Sequence, residues 1–140
     1  MFRLMNLVAI AGCLLLLAGT AHAQRFQDNG NETVTDTQTN LVWTKNANLF
    51  GYQNWHDSKT SCSTTSIGGS GWRMPTADEL SALIRAVQVE NPFDNFPQHQ
   101  PYWSSTEHPD DPDQARFVHS TFAIDPLAVK TSEFLAWPVR

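Results

Sequence analysis

The stretch Gly71-Trp72-Arg73-Met74-Pro75-Thr76-Ala77-Asp78-Glu79-Leu80 sets a strand-like run, a proline and a helix start side by side. Thr76 and Glu79 stand three apart, the spacing of a capping box. In that motif the threonine hydroxyl accepts from the backbone N–H of Glu79, and the carboxylate reaches back to the N–H of Thr76. Asp78 and Glu79 also place negative charge where the helix dipole is positive. Leu80, Leu83, Ile84 and Val87 fall at i, i+3, i+4 and i+7, which predicts one apolar helix face. Asn91-Pro92 is expected to end the helix, because the residue before proline is pushed out of the helical region. In a strand, Arg73 would point away from Trp72 and Met74. A planar guanidinium there suits pairing with a carboxylate, stacking on a ring or clamping a ligand, and a structural role is preferred.

The chain start reads differently. Met1-Phe2-Arg3 is a short positive opening, Leu7 to Ala18 is almost unbroken apolar sequence, and Ala21-His22-Ala23 supplies small residues at a cleavage site. This is the anatomy of a secretory signal peptide cut before Gln24, too short and wrongly flanked for a transmembrane segment. A secreted or periplasmic protein is expected. Ile10-Ala11-Gly12-Cys13 offers a rival lipoprotein anchor at Cys13, but the downstream site fits the apolar run better.

Residues 24–140 then form one domain, long enough for a real core and too short for two. Losing Arg3 leaves 8 basic residues against 14 acidic ones, a net charge of −6. That sign excludes nucleic acid as a natural partner, since phosphate is held by Lys and Arg. Cys62 is left without an intrachain partner. It is either a buried small hydrophobe, the preferred reading, or a thiol that links chains into an oligomer.

Thr33-Val34-Thr35 and Leu41-Val42-Trp43 flank Asp36–Asn40 and read as a hairpin, within a Gln24–Asn40 segment that is otherwise polar and turn-rich. Asp28-Asn29-Gly30-Asn31-Glu32 reads as a turn, with calcium ligation the weaker alternative. A first helix is expected from Asn54 as cap, with Trp55, Ser58 and Cys62 on one face. Tyr102–Thr106, Arg116–Val118, Thr121–Ile124 and Phe134–Val139 are strand candidates, with Asp125-Pro126 as a turn and Pro138 at an edge. Strands, two helices, then strands give an α+β class with helices on an antiparallel sheet.

Several motifs occur in order. They are Thr33-Val34-Thr35-Asp36 with Leu41-Val42-Trp43, then Trp55 and Cys62, then Gly71–Leu80, then Tyr102-Trp103-Ser104-Ser105-Thr106. Together they resemble the Lcl C-terminal domain family of secreted and surface bacterial proteins, formerly classed as a domain of unknown function. The Trp72–Thr76 segment is also similar to the Trp-Arg-Leu-Pro-Thr segment of formylglycine-generating enzymes. Both resemblances imply a C-type-lectin-like fold: two helices packed on a twisted antiparallel sheet with long loops. The departures are informative. The family often ends in an Arg-Cys-Val-Arg-like strand, whereas this chain ends Trp137-Pro138-Val139-Arg140 and offers Cys62 no partner. The late reactive cysteines of formylglycine-generating enzymes are missing, as are the Glu-Pro-Asn and Trp-Asn-Asp triplets of calcium-dependent lectins. The collagen-like adhesin of the family binds sulfated polysaccharides, a ligand at odds with a charge of −6.

The resemblance implies a non-catalytic binding or adhesion domain whose ligand is a glycan or an extracellular protein. Tyr102, Trp103, Glu107, Asp110 and Asp111 are the expected ligand-binding residues, as exposed aromatics beside polar groups on long loops. Asp110, Asp111 and Asp113 are weak calcium candidates against a solvated acidic loop. His56, His99, His108 and His119 lack zinc spacing. Ser104 and Ser105, just ahead of Glu107 and His108, suggest a hydrolase but lack any nucleophile-elbow pattern, and an enzyme on this scaffold would use Glu107, His108 and an Asp. A structural assembly subunit is the third alternative.

Overall fold

A computed structural model describes residues 23–140; the expected leader, with Cys13, lies outside them apart from Ala23. Three strands open the fold: β1 (Phe26–Asp28), β2 (Thr33–Asp36) and β3 (Leu41–Thr44), antiparallel in the order β1-β2-β3. The β2–β3 hairpin registers Thr33 with Thr44 and Asp36 with Leu41. Its turn closes by Asn40 N–H donating to the Asp36 carbonyl at 2.8 Å, with Asn40 at φ 59°. Inside the preceding turn Gly30 takes φ 76°, and Asp28 accepts from its N–H and pairs with Lys45 at 2.8 Å. Strand β1 went unread in the sequence because only Phe26 of its three residues is buried, leaving no alternation to see.

Two helices follow. In α1 (Trp55–Thr64) the Asn54 side chain accepts from Asp57 N–H, and Trp55, Ser58 and Cys62 are buried. In α2 (Ala77–Val87) the full capping box forms on Thr76, and Leu80, Leu83, Ile84 and Val87 face inward. The helix stops at Val87, with Gln88 as its cap, before Pro92 is reached. There Gln88 Nε2 donates to the Ser120 carbonyl, tying the helix end to a distant loop.

A second antiparallel sheet holds β4 (Pro101–Glu107), β5 (Gln114–His119) and β6 (Leu127–Val129) in that order. Successive strand residues point to opposite faces. Tyr102 therefore enters the cluster of α2, with Leu80, Ile84 and Trp137, while Trp103 enters the cluster of α1, with Trp55, Cys62 and Met74. The class is α+β as expected, with the strands divided between two sheets. Thr121–Ile124 is not a strand: Ala123 N–H donates to the His119 carbonyl and Ala123 adopts φ 52°, so the segment turns. Its β-favouring side chains Phe122 and Ile124 gain no neighbouring strand. The strand lies just beyond Asp125-Pro126, as β6.

Phe134–Arg140 is a connector held by single bridges rather than a continuous strand. Gln53 pairs with Phe134, Tyr102 with Leu135, and both Arg73 and Trp43 with Val139. Arg140 closes the run by stacking 4.5 Å from the Trp72 ring and donating to the carbonyls of Gly68 and Ser70. Gly69 has φ 124°, and a Cβ there would lie 2.6 Å from the Arg140 guanidinium. The φ of Gly69, more than the movable guanidinium a Cβ would displace, is what suits glycine to this position.

Arg73 has a structural role. Its guanidinium makes two hydrogen bonds to Glu79, at 2.8 and 2.7 Å. The hydrogen bond from Arg73, opposed by partial burial and aided by the Thr76 N–H, holds the Glu79 carboxyl down at about 2. Thr76→Ala should lower unfolding stability by about 1 kcal/mol, the usual cost of a lost cap, measured by denaturant titration. Because the folded carboxyl titrates below its ordinary 4.5, the stability it contributes is full above that value and is lost as pH falls toward about 2. Glu79→Gln should therefore be the less stable protein at pH 7, with the gap to the parent closing across that acid range. A constant gap down to the acid limit would refute the assignment.

Candidate ligand-binding surface

The β4–β5 pair has two ends. Pro101 faces His119 at one, and Glu107 faces Ala115 at the other. At the first end, segments 97–100 and 120–126 are laced together. Ser120 N–H donates to the Gln100 carbonyl, Gln100 N–H to Ser120 Oγ, and His99 N–H to Thr121 Oγ1. His99 and Ala123 hold φ of 57° and 52°, a region non-glycine residues enter rarely and mostly where surrounding contacts enforce it.

This laced tip presents large apolar groups to solvent. Phe122 is 66 % exposed, Tyr52 56 % and Ile124 55 %. Leaving such side chains in water forgoes about 1.5–3 kcal/mol each relative to burial, so fold stability does not account for them. Phe122 stacks on the His119 ring at 5.1 Å, and His99 lies 6.3 Å from His119. The Tyr52 hydroxyl donates to Gln100 Oε1 at 2.6 Å. Flat rings are thus fixed beside amide and imidazole groups, an arrangement able to stack on an apolar ligand face and hydrogen-bond its edge. The sequence treats these histidines as scattered; strand pairing brings His99 and His119 together from twenty positions apart.

The residues expected to bind ligand lie elsewhere. Tyr102 and Trp103 are each 0 % exposed, which corrects the expectation of an exposed aromatic platform. The Tyr102 hydroxyl donates to the Ala47 carbonyl, and burial pushes its pKa well up. Trp103 Nε1 donates to the Gln53 carbonyl. Both rings are covered because each face of β4 carries a helix.

Glu107, Asp110, Asp111 and Asp113 sit at the opposite end of the strand pair. Glu107 hydrogen-bonds Lys130, which holds its carboxyl below the ordinary range, and the Lys130 ammonium lies 4.1 Å over the Trp55 ring. The N–H groups of Asp110 and Asp111 both donate to His108 Nδ1. Asp111 accepts from Asp113 N–H and from Gln114 Nε2, so its carboxylate braces the loop. Asp113 reaches the rim of a cleft of about 610 Å³ that also exposes Asn54, His56, Asp57 and Lys130. Among the described residues, no three side chains of the His, Cys, Asp or Glu type converge where an ion could sit. Nor do Ser104, Glu107 and His108 join: Ser104 Oγ donates to the Arg116 carbonyl, and His108 accepts from backbone. No helix among the described residues is long and apolar enough to cross a membrane.

With the two-helix core, the capping-box entry and this loop arrangement in view, the family model of the Lcl C-terminal domain matches residues 32–140. The chain belongs to the Lcl C-terminal domain family. No curated protein matches it. Within this Lcl C-terminal domain the helical cysteine is fully buried, and desolvation pushes the Cys62 thiol up to about 12. Cys62 is thus the buried small hydrophobe of the preferred reading, and a link between folded chains through it would first require the thiol to be uncovered. Under native conditions at pH 8 the protein should react with Ellman's reagent at Cys62 only in denaturant, and should run as a monomer on non-reducing gels. Rapid native labelling would show that α1 opens.

Proposed function

We propose that this Lcl C-terminal domain is a secreted, non-catalytic binding or adhesion domain, C-type-lectin-like in architecture, that recognises a glycan through the tip bearing Tyr52 and Phe122. The observation that carries the reading is the pair of exposed aromatic rings, 56 % and 66 % exposed, held in place by hydrogen bonds and stacking rather than left on mobile side chains. Fixed rings lose little entropy on binding, and sugar rings offer apolar C–H faces to stack on them. The leader-like residues 1–23 support secretion. The braced acidic loop, with Glu107 tied to Lys130 and His108 to backbone, supports a non-catalytic reading over a hydrolase.

A glycan array probed with the purified protein, with and without calcium, tests this. Phe122→Ala and Tyr52→Ala should each weaken the best glycan about tenfold or more, as loss of a stacking ring does, with unchanged melting temperature. EDTA should change binding less than twofold, because the tip carries a single carboxylate, Asp125, which already faces Arg116, and one carboxylate is too few to hold calcium. A blank array from folded protein, or variants that bind as the parent does, would sink the proposal.

A further inference from the structure

We infer that the tip is built for the acetamido group of an N-acetylhexosamine, with Phe122 and Ile124 receiving its methyl and His119 its carbonyl. This rests on the glycan reading above and narrows it. The backbone N–H of Thr121 donates to His119 Nδ1 at 3.3 Å. An acceptor Nδ1 puts the proton of the neutral imidazole on Nε2, so the ring edge offers a donor. Gln100 adds to this polarity: its Oε1 is taken by the Tyr52 hydroxyl, which leaves its NH₂ group as the available half of the amide. Beside these donors, Phe122 lies over the His119 ring and Ile124, whose carbonyl accepts from His119 N–H, is 55 % exposed.

Donors next to bare hydrocarbon select for a particular substituent. A sugar hydroxyl could also accept from His119, but it brings no apolar group for Phe122 and Ile124 to cover, so less is gained by placing it against them. An acetamide supplies a carbonyl that only accepts and a methyl that gains from contact with the two side chains. Ionic substituents fit poorly. The charged side chains closest along the hairpin, Arg116 and Asp125, are directed to each other at 3.6 Å.

The β-1,4 trimers of N-acetylglucosamine and of glucose differ only at C2, so calorimetric titration of the purified protein with each isolates the acetamide. The acetylated trimer should bind about tenfold tighter or better. His119→Phe keeps a ring under Phe122 and removes the donor; it should erase that preference, bringing the affinities of the two trimers within about twofold of each other. Phe122→Ala should weaken both trimers, with melting curves confirming that each variant is folded. Equal affinities, or a preference for the glucose trimer, would overturn the acetamide assignment and leave glycan recognition standing. So would silence from both trimers when another glycan binds on the array. Silence from both with a blank array removes the two readings together. An acetamide preference that survives both substitutions would overturn the placement at this tip.

Discussion

The indole of Trp137 is where the two halves of this fold meet. Its ring packs against Trp43 of the first sheet at 5.7 Å, Tyr102 of the second at 5.6 Å and Phe93 of the intervening segment at 4.7 Å. Its Nε1 donates to the Thr44 carbonyl, so even the polar atom of this fully buried side chain is satisfied by the first sheet. The named strands of the two sheets form no common ladder. What joins them is this aromatic cluster and the single backbone bridges of Phe134–Arg140 on either side of it. The edge-to-face contacts to Trp43 and Phe93 and the tilted contact to Tyr102 add to area burial, so one side chain links two separate sheets.

The same segment reaches the start of α2. Val139 exchanges backbone hydrogen bonds with Arg73, and Arg73 holds Glu79, whose carboxylate also caps the helix. The capping box is thus part of a chain of contacts from the last strand-like segment to the helix, and not only a local stop signal. The second carboxylate oxygen goes to the same arginine, so both oxygens of Glu79 are engaged within the fold. Within the Gly71–Leu80 stretch, Arg73, Thr76 and Glu79 are thus committed to contacts that hold the fold.

Legibility followed periodicity. Helix α2 was readable because four apolar residues at helical spacing stood behind a capping box, two signals that agree. Strands β1 and β6 were not, because three residues with one or no buried side chain carry no pattern. Thr121–Ile124 misled in the opposite direction: its β-favouring composition records exposure on a turn, and propensity cannot tell a side chain that packs from one left bare. The site failed for the same reason. Tyr102-Trp103 and Phe122 are equally aromatic in sequence, but whether a ring is buried depends on which helix covers its face of the strand. That is fixed by contacts between α1, α2 and β4 from far along the chain. His99 and His119 could be associated only through the pairing of Pro101 with His119.

The two ends of the β4–β5 pair are treated in opposite ways, and the contrast argues for division of labour. At the Glu107 end, several groups are internally engaged: the ammonium of Lys130, 7 % exposed, lies between the Glu107 carboxylate and an indole, and Asp111 and His108 are held by backbone and amide groups of their own loop. Groups so occupied would have to break internal contacts to meet a ligand, and that cost falls directly on affinity. At the His119 end the internal contacts do the reverse. They lock the backbone through Ser120 and Thr121 and leave Phe122, Ile124 and the free edges of His119 and Gln100 unsatisfied. An internally satisfied loop stabilises the fold it belongs to. A braced loop with exposed apolar and donor groups gains nothing until something else arrives, and this supports the proposed seat of recognition at the tip.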